Sequence, residues 1–408
     1  MEKNYDVVIV GGGILGCAVA YHLCSQSNLK VALIERGLVG MQTTSLAASI
    51  IVRGRSSRPQ TDLVLETHRS LEALETKLGR SLDFRRVGSM HVAHSEASAQ
   101  TFNRLADRLR EIGDEPRELT VDQAKQMVPW LALDGAALIV HNPLDGFIDP
   151  YRFANAYLQA AIAHGGLDVH QSTEVLELQT RGRQIVGVDT DKGQFSADQV
   201  VVAAGPWANH LLRPLGSAAA MAPVRSHYWI TGPSDLYSAK TPILTLPDAN
   251  AYMRPEGGGL LFGLRSRINK WAHPRDLPKT LQGFSFDDDS QGWQSLEETA
   301  GPLLKLCPSL AEVEIKYYNS GPSGYTPDGK HVVGAAPNLD GVYLAAGCCG
   351  SGITISGGVG RVISQLVLGQ TPTIDITSFS PDRFEPFDPY DQAFIERCAQ
   401  SRFLKGSD

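Results

Sequence analysis

An α/β architecture with a second, mostly antiparallel part is what this sequence predicts, and three observations predict it. A strand–glycine–helix–strand unit opens the chain at Asp6. A second apolar strand, feeding another glycine loop and another helix, lies near Ala345. Between them, from about 221 to 320, short runs of alternating apolar and polar residues are broken by Pro and Gly, the pattern of half-buried strands.

Residues 6–10 form a short apolar run ended by Gly11-Gly12-Gly13, as in a buried parallel strand. Helical periodicity follows from Ile14 to about Ser27, and 31–35 reads as a second strand. Together they make one β–α–β unit. Residues 59–78 and 97–112 have helical periodicity, and "FRRVGSMHVAH" between them predicts a strand pair turning at Gly88. A helix from Asp149 carries Asp as its N-cap, Pro150 at its first position and glycine at its end. "STEVLELQTRGRQIVGVDTDKGQFSADQVVVAAG" alternates strand and turn, and its last strand, 199–204, is apolar throughout. Strands are expected in "VRSHYWIT", "AYMRPEGGGLLFGLR" and "VEIKYYN", with a helix near 292–306. After Tyr325 come strands at 331–333 and 342–344 and a helix over 354–368. This order predicts a discontinuous Rossmann-type nucleotide domain from 1–85, 145–220 and 321–380. An inserted α+β domain takes 86–144 and 221–320, and 381–408 is a tail without a predicted element.

Hydrophobic residues make up 42% and charged residues 20%, an ordinary globular mix. A net charge of −7 argues against a nucleic-acid partner. The six cysteines lack C-x-x-C spacing, no metal constellation stands out, and the scatter suits free thiols in a reducing compartment. No apolar run is long enough to span a bilayer. The N-terminal run ends in glycines rather than a cleavage site, so a cytoplasmic protein is expected.

Gly11-Gly12-Gly13-Ile14-Leu15-Gly16 is G-x-G-x-x-G between a strand and a helix, with Glu35 at the end of the next strand. Gly11 permits the tight turn, Gly13 lets backbone approach a pyrophosphate, and Gly16 lets helix and strand pack closely. The helix N-terminus faces the phosphates. Glu35 can accept hydrogen bonds from ribose hydroxyls and disfavours a 2′-phosphate. The motif alone serves NAD or FAD equally.

With these motifs in hand, the chain resembles the D-amino-acid oxidase / sarcosine oxidase family of FAD-dependent amine oxidoreductases, over nearly its whole length. The matching segments are, in order, "DVVIVGGGILGCAVAYHL…VALIERG", "TTSLAAS", "DGFIDPYRFANAYLQAA", "VVVAAGPWA", "GYTPDGKHVVGAAP" and "YLAAGCCGSGITISGGVGRVISQLV". The resemblance implies FAD held by Gly11, Gly13, Ile14, Leu15, Gly16, Glu35 and Arg36, and by Thr43, Thr44 and Ser45. It further implies the strand start at Glu174 and Val175, with Ala204, Gly205, Trp207 and Gly321. It adds Gly350, Ser351, Gly352, Ile353 and Thr354, where a helix N-terminus would stabilise negative charge on the reduced ring.

Departures from the family pattern sharpen this. Sarcosine oxidases attach FAD through a cysteine where this chain has Gly321, and dimethylglycine dehydrogenases through a histidine where it has Leu46; non-covalent FAD is implied. Cys348 and Cys349 are expected to pack against the ring, with a covalent or redox role as the alternative. The lysine that promotes reaction with oxygen is replaced by Leu261, which favours a dehydrogenase over an oxidase. A substrate carboxylate calls for an arginine. Arg53 matches the sarcosine-oxidase position, Arg254 is a further candidate, and the second family ligand is Thr354 here. The glycine-oxidase arginine falls at Ser323. His227, Tyr228, Tyr252 and Arg225 are expected on or near the substrate pocket.

The implied reaction is hydride transfer from the carbon next to nitrogen to flavin N5, giving an imine that water hydrolyses. The implied partners are a small amine or amino acid and an electron acceptor (a protein, a quinone or O₂), with homo- or hetero-oligomers left open. A 2-hydroxy-acid dehydrogenase, and a flavoprotein subunit or assembly factor with a partner-binding role, stand as alternatives.

Overall fold

The computed structural model describes residues 3–266 and 269–404. Two eight-stranded sheets organise it. The main path of the first runs Val332–Ala335, Val342–Ala346, Gly193–Val202, Lys3–Val10, Val31–Ile34, Leu167–His170. All its neighbours pair in parallel except Val332–Ala335, which is antiparallel to Val342–Ala346. Val7, Val8, Ile9, Leu33, Val200 and Val201 are fully buried, as expected for parallel strands covered on both faces. A meander, Val175–Arg181 and Gln184–Thr190, pairs antiparallel with the start of Gly193–Val202.

One face is covered by helices. Ile14–Gln26 lies against Pro150–His164 and Gly352–Val367, and the last also packs on Arg58–Leu78. The "ISGGVG" run permits this: a Cβ on Gly358 would lie 2.3 Å from Leu63 Cα, and one on Gly360 2.8 Å from Ala18 O. Asp149 caps its helix as expected, accepting from Arg152 N–H.

The second sheet orders Ile315–Tyr325, Ala222–Thr231, Gly259–Leu264, Ala251–Glu256, Ile243–Leu246, Ser89–Ala93, Leu138–Asn142, Arg117–Glu118. It is antiparallel except where Ile243–Leu246 meets Ser89–Ala93. Two local expectations change. The strand pair in "FRRVGSMHVAH" is one strand, Ser89–Ala93; before the turn at Gly88 (φ +76°), Arg85 instead bridges to Phe147. The helix near 292–306 is two, Trp293–Thr299 and Gly301–Leu306, parted where Gly301-Pro302 interrupts the hydrogen-bond ladder. The tail forms a helix, Gln392–Leu404, packed on Ala222–Thr231. No helix among the described residues is long and apolar enough to cross a membrane.

Burial holds the imidazoles of His22, His68 and His91 down to about 4, 3 and 4, against an ordinary 6.5. Each therefore contributes stability that is complete above about pH 6.5 and is lost as pH falls through the folded value. Asp145, pushed up by burial from 3.8 to about 6, works oppositely: its contribution fades as pH rises through that window. Three histidines outweigh one carboxyl. The thermal midpoint is expected to fall as pH drops from 7 to about 4.5; a flat or rising midpoint in a calorimetric pH series would contradict this.

Candidate active site

A cavity of about 620 Å³ runs from the first glycine loop to the inner face of the second sheet. At its nucleotide end, Gly11 turns with φ +107°, and a Cβ there would lie 2.6 Å from Ala203 O. Gly13 opens on the cavity, while Gly16 stands behind the wall, where a Cβ would meet Gly11 O at 2.0 Å. Gly16 is thus a packing residue of the cradle. Ile14 N–H donates to Thr44 Oγ1 at 3.0 Å, holding the loop that carries Thr43 and Thr44 against the helix start. Leu15, Thr43 and Thr44 line the wall; Ser45 does not, because its hydroxyl turns back to the carbonyls of Met41 and Gln42.

Glu35 accepts from the N–H groups of Gly12 (2.7 Å) and Gly37 (2.8 Å), which fixes both carboxylate oxygens at the cavity edge. Arg36 lies over the Trp207 ring at 4.9 Å, and the Trp207 indole donates to Pro278 O at 3.0 Å. Glu174, Val175, Ala204 and Gly205 complete this end.

At the other end Gly350, Ser351, Gly352, Ile353 and Thr354 line the wall where the helix Gly352–Val367 begins. The Thr354 hydroxyl donates to Ile50 O at 2.7 Å, so it ties helix to strand. The cysteines diverge. Cys348 lines the cavity beside Gly352. Cys349 is fully buried in a cluster with Tyr325, Phe394 and Cys398 and takes no part in the wall, so ring packing is open to Cys348 alone. Gly321 and Leu46, the two positions of covalent attachment in the resemblance, face each other: a Cβ on Gly321 would lie 2.7 Å from Leu46 Cδ1.

The sheet supplies the far wall. Thr245, Tyr252 and Gly263 are cross-strand neighbours, and the Tyr252 ring covers Gly263, where a Cβ would be 2.2 Å from Tyr252 Cζ. Burial raises the Tyr252 phenol to about 12, so it stays protonated. Tyr228 accepts from Asn319 Nδ2 at 2.9 Å. His227 Nδ1 lies 3.1 Å from Tyr318 Oη. Burial, with Arg402 and Arg225 nearby, keeps its imidazole well below its ordinary range and therefore neutral. Ser323 lines the wall as well.

Two of the arginines expected at the substrate lie off the cavity wall and already have partners. Arg53 forms a bidentate pair with buried Asp114, Nε–Oδ2 and Nη2–Oδ1 both at 2.8 Å, and its neighbours Val52 and Arg55 form the wall instead. Arg254 is buried with Nε on Ala48 O, its Nη1 on Glu256 and Pro255 O, and its plane over Phe147, away from the wall. Arg225 likewise faces Ser295 and Asp287. Leu261 is buried on the same pleat face as Gly263 but outside the wall.

Three other arginines line this part of the cavity, Arg55, Arg265 and Arg402, none of them among the expected site residues. Arg55 donates to Ser351 Oγ at 3.2 Å, and Arg265 and Arg402 stand near Tyr252 and Tyr325.

The DAO family model, described as FAD dependent oxidoreductase, matches residues 6–366. The chain belongs to this family. The family is FAD dependent, and the residues along this cavity fit a dinucleotide of that kind. Gly11, the open Gly13, Glu35 and the second helix start lie along one cavity, with Gly16 close-packed behind them. The pyruvate dehydrogenase phosphatase regulatory subunit, mitochondrial, of Mus musculus is 26% identical over 392 residues, 94% of this chain and 44% of that protein. Dimethylglycine dehydrogenase, mitochondrial, of Homo sapiens is 26% identical over 392 residues, 94% of this chain and 45% of that protein. The chain spans less than half the length of these relatives. The crystal structure of glycine oxidase from Geobacillus kaustophilus is similar with a TM-score of 0.77 at 26% identity, covering 94% of this chain and 100% of that one.

Proposed function

We propose that this DAO-family protein oxidises an amino acid or N-substituted amine at the carbon next to nitrogen, using non-covalently bound FAD. One observation carries the reading: a single cavity joins the nucleotide cradle to a sheet face bearing Tyr228 and Tyr252, with Arg55, Arg265 and Arg402 beside it in the lining. Bound FAD supplies the acceptor for the electron pair of the C–H bond. The chain's own residues do the rest. Gly11, Gly13 and Glu35 would hold the dinucleotide half, and the loop over Gly350–Gly352, which lines the same cavity, would hold the ring half. Arg55, Arg265 and Arg402 place positive charge at the substrate end, which attracts a carboxylate and favours the neutral amine over the ammonium. Tyr252 and Tyr228 offer hydroxyls to fix the substrate's orientation. With the amine already neutral, no side-chain base is required, and the imine product is hydrolysed by water. Gly321 and Leu46 offer no nucleophile where relatives of the resemblance attach FAD, which supports non-covalent binding.

Leu261 stands where the resemblance places the oxygen-activating lysine, so reoxidation by air is expected to be slower than by an artificial acceptor. The Mus musculus regulatory subunit among the relatives supports a second reading, a partner-binding flavoprotein without turnover. Turnover separates the two. The holoprotein, an artificial acceptor and a panel of N-methyl, cyclic and primary amino acids are incubated, and oxo acid or aldehyde is assayed. Product from an amine supports oxidation. Product only from 2-hydroxy acids, or none with full flavin content, would overturn it.

A further inference from the structure

We infer that Arg402, carried by the C-terminal helix Gln392–Leu404, is the guanidinium that holds the substrate carboxylate in this cavity. The inference rests on the function proposed above and names the residue that selects its substrates.

The helix is anchored. Asp391 accepts from Phe394 N–H at 2.9 Å. Phe394, Ile395, Cys398 and Ala399 bury one face against Ala220, Ala222, Val224 and Tyr325. Arg402 continues that face one turn further on, where the apolar packing ends and the cavity begins. It is only 7% exposed, yet it forms part of the wall. A buried guanidinium ordinarily has a carboxylate partner, because desolvating a charge is costly. The other buried arginines, Arg225 and Arg254, each have one: Asp287 and Glu256. Arg402 donates from Nη1 to the neutral side-chain oxygen of Asn269 at 2.7 Å, and no described carboxylate pairs with it. Tyr252, Tyr325 and His227 surround it; all three are uncharged at neutral pH, the phenols raised and the imidazole lowered by burial. The charge is therefore kept beside the cavity without a counter-ion among the described residues, with Arg265 adding a second positive group near the same tyrosines. An anion entering from solvent completes the pair. A carboxylate fits because Asn269 fixes Nη1 and leaves the guanidinium's remaining donor edge for two-oxygen contact.

The test uses the FAD-loaded full chain and inert probes. Monocarboxylates from acetate to benzoate are titrated while the flavin absorbance is followed, with the matching neutral amides as controls. Arg402→Gln is expected to weaken the carboxylates by about 10–100-fold and leave the amides unchanged; Arg402→Lys should recover part of the loss. Equal weakening of both series, or of neither, would overturn the inference. If Arg402→Gln loses FAD, the Lys variant decides: carboxylate preference over amide must survive in it, and its disappearance from a flavin-loaded Lys variant would count against the assignment. The two readings fail separately. Carboxylate binding that depends on Arg402, without turnover of any amine, would refute the proposed function only. Amine turnover with an unchanged KM in Arg402→Gln would refute this inference only.

Discussion

Arg53→Met is expected to destabilise the protein by about 3 kcal/mol while leaving the KM for substrate close to wild type. The reason lies in what the guanidinium touches. Its two hydrogen bonds go to Asp114, whose side chain is 1% exposed and also accepts from Asn142 Nδ2 at 3.2 Å. Methionine fills similar space but leaves that carboxylate buried without its counter-charge. Removing one partner of such a pair costs far more than the pair itself contributes. Urea denaturation at constant flavin saturation measures the loss. An Arg53→Met protein of normal stability with a much raised KM would restore Arg53 as the carboxylate ligand and remove the ground for assigning that role elsewhere.

Flavin loss on substituting Gly13 is the second large effect. Gly13 has φ −71°, which alanine tolerates, and its added Cβ would meet only Thr44 Oγ1 at 3.4 Å. The apoprotein of Gly13→Ala should therefore unfold like wild type. The methyl group would instead project into the cavity, where a pyrophosphate must approach the backbone. Overpacking of about 1–3 kcal/mol corresponds to roughly 5–150-fold weaker FAD binding. Gly16→Ala behaves differently, because its Cβ would collide with Gly11 O inside the cradle. It should lose both FAD and stability. Fluorescence titration of each apoprotein with FAD, beside its unfolding curve, separates these outcomes. Full flavin content in Gly13→Ala would show that the cradle does not hold phosphates there.

The parts legible in the sequence were those written in local patterns. The glycine loop, its flanking strands and Glu35 lie within about thirty residues, and each carries a local physical reason. The parallel strands read directly as apolar runs, and the antiparallel sheet as alternation. The charged partners could not be read this way. Arg53 and Asp114 are 61 positions apart, and nothing near Arg53 announces that its charge is already matched. Arg254 is matched partly by the carbonyl of Ala48, a backbone group that carries no residue signature. Arg402 was more accessible. Asp391 precedes a buried stripe of Phe394, Ile395, Cys398 and Ala399 at helical spacing, and a charged residue then continues the stripe. A cation on an apolar face is itself a signal that the face ends in a site. The adjacent cysteines split because Cys349 takes a left-handed φ of +48°, sending consecutive side chains to opposite sides of the loop.

Anaerobic mixing of the FAD-loaded protein with amines tests the central claim most directly. Bleaching of the flavin band is followed for an N-methyl or cyclic amino acid, its 2-hydroxy counterpart and its amide. The account predicts rapid bleaching by the amino acid, slow bleaching by the amide and none by the hydroxy acid. A flavin that stays oxidised with every amine, or is bleached by the hydroxy acid alone, would contradict it.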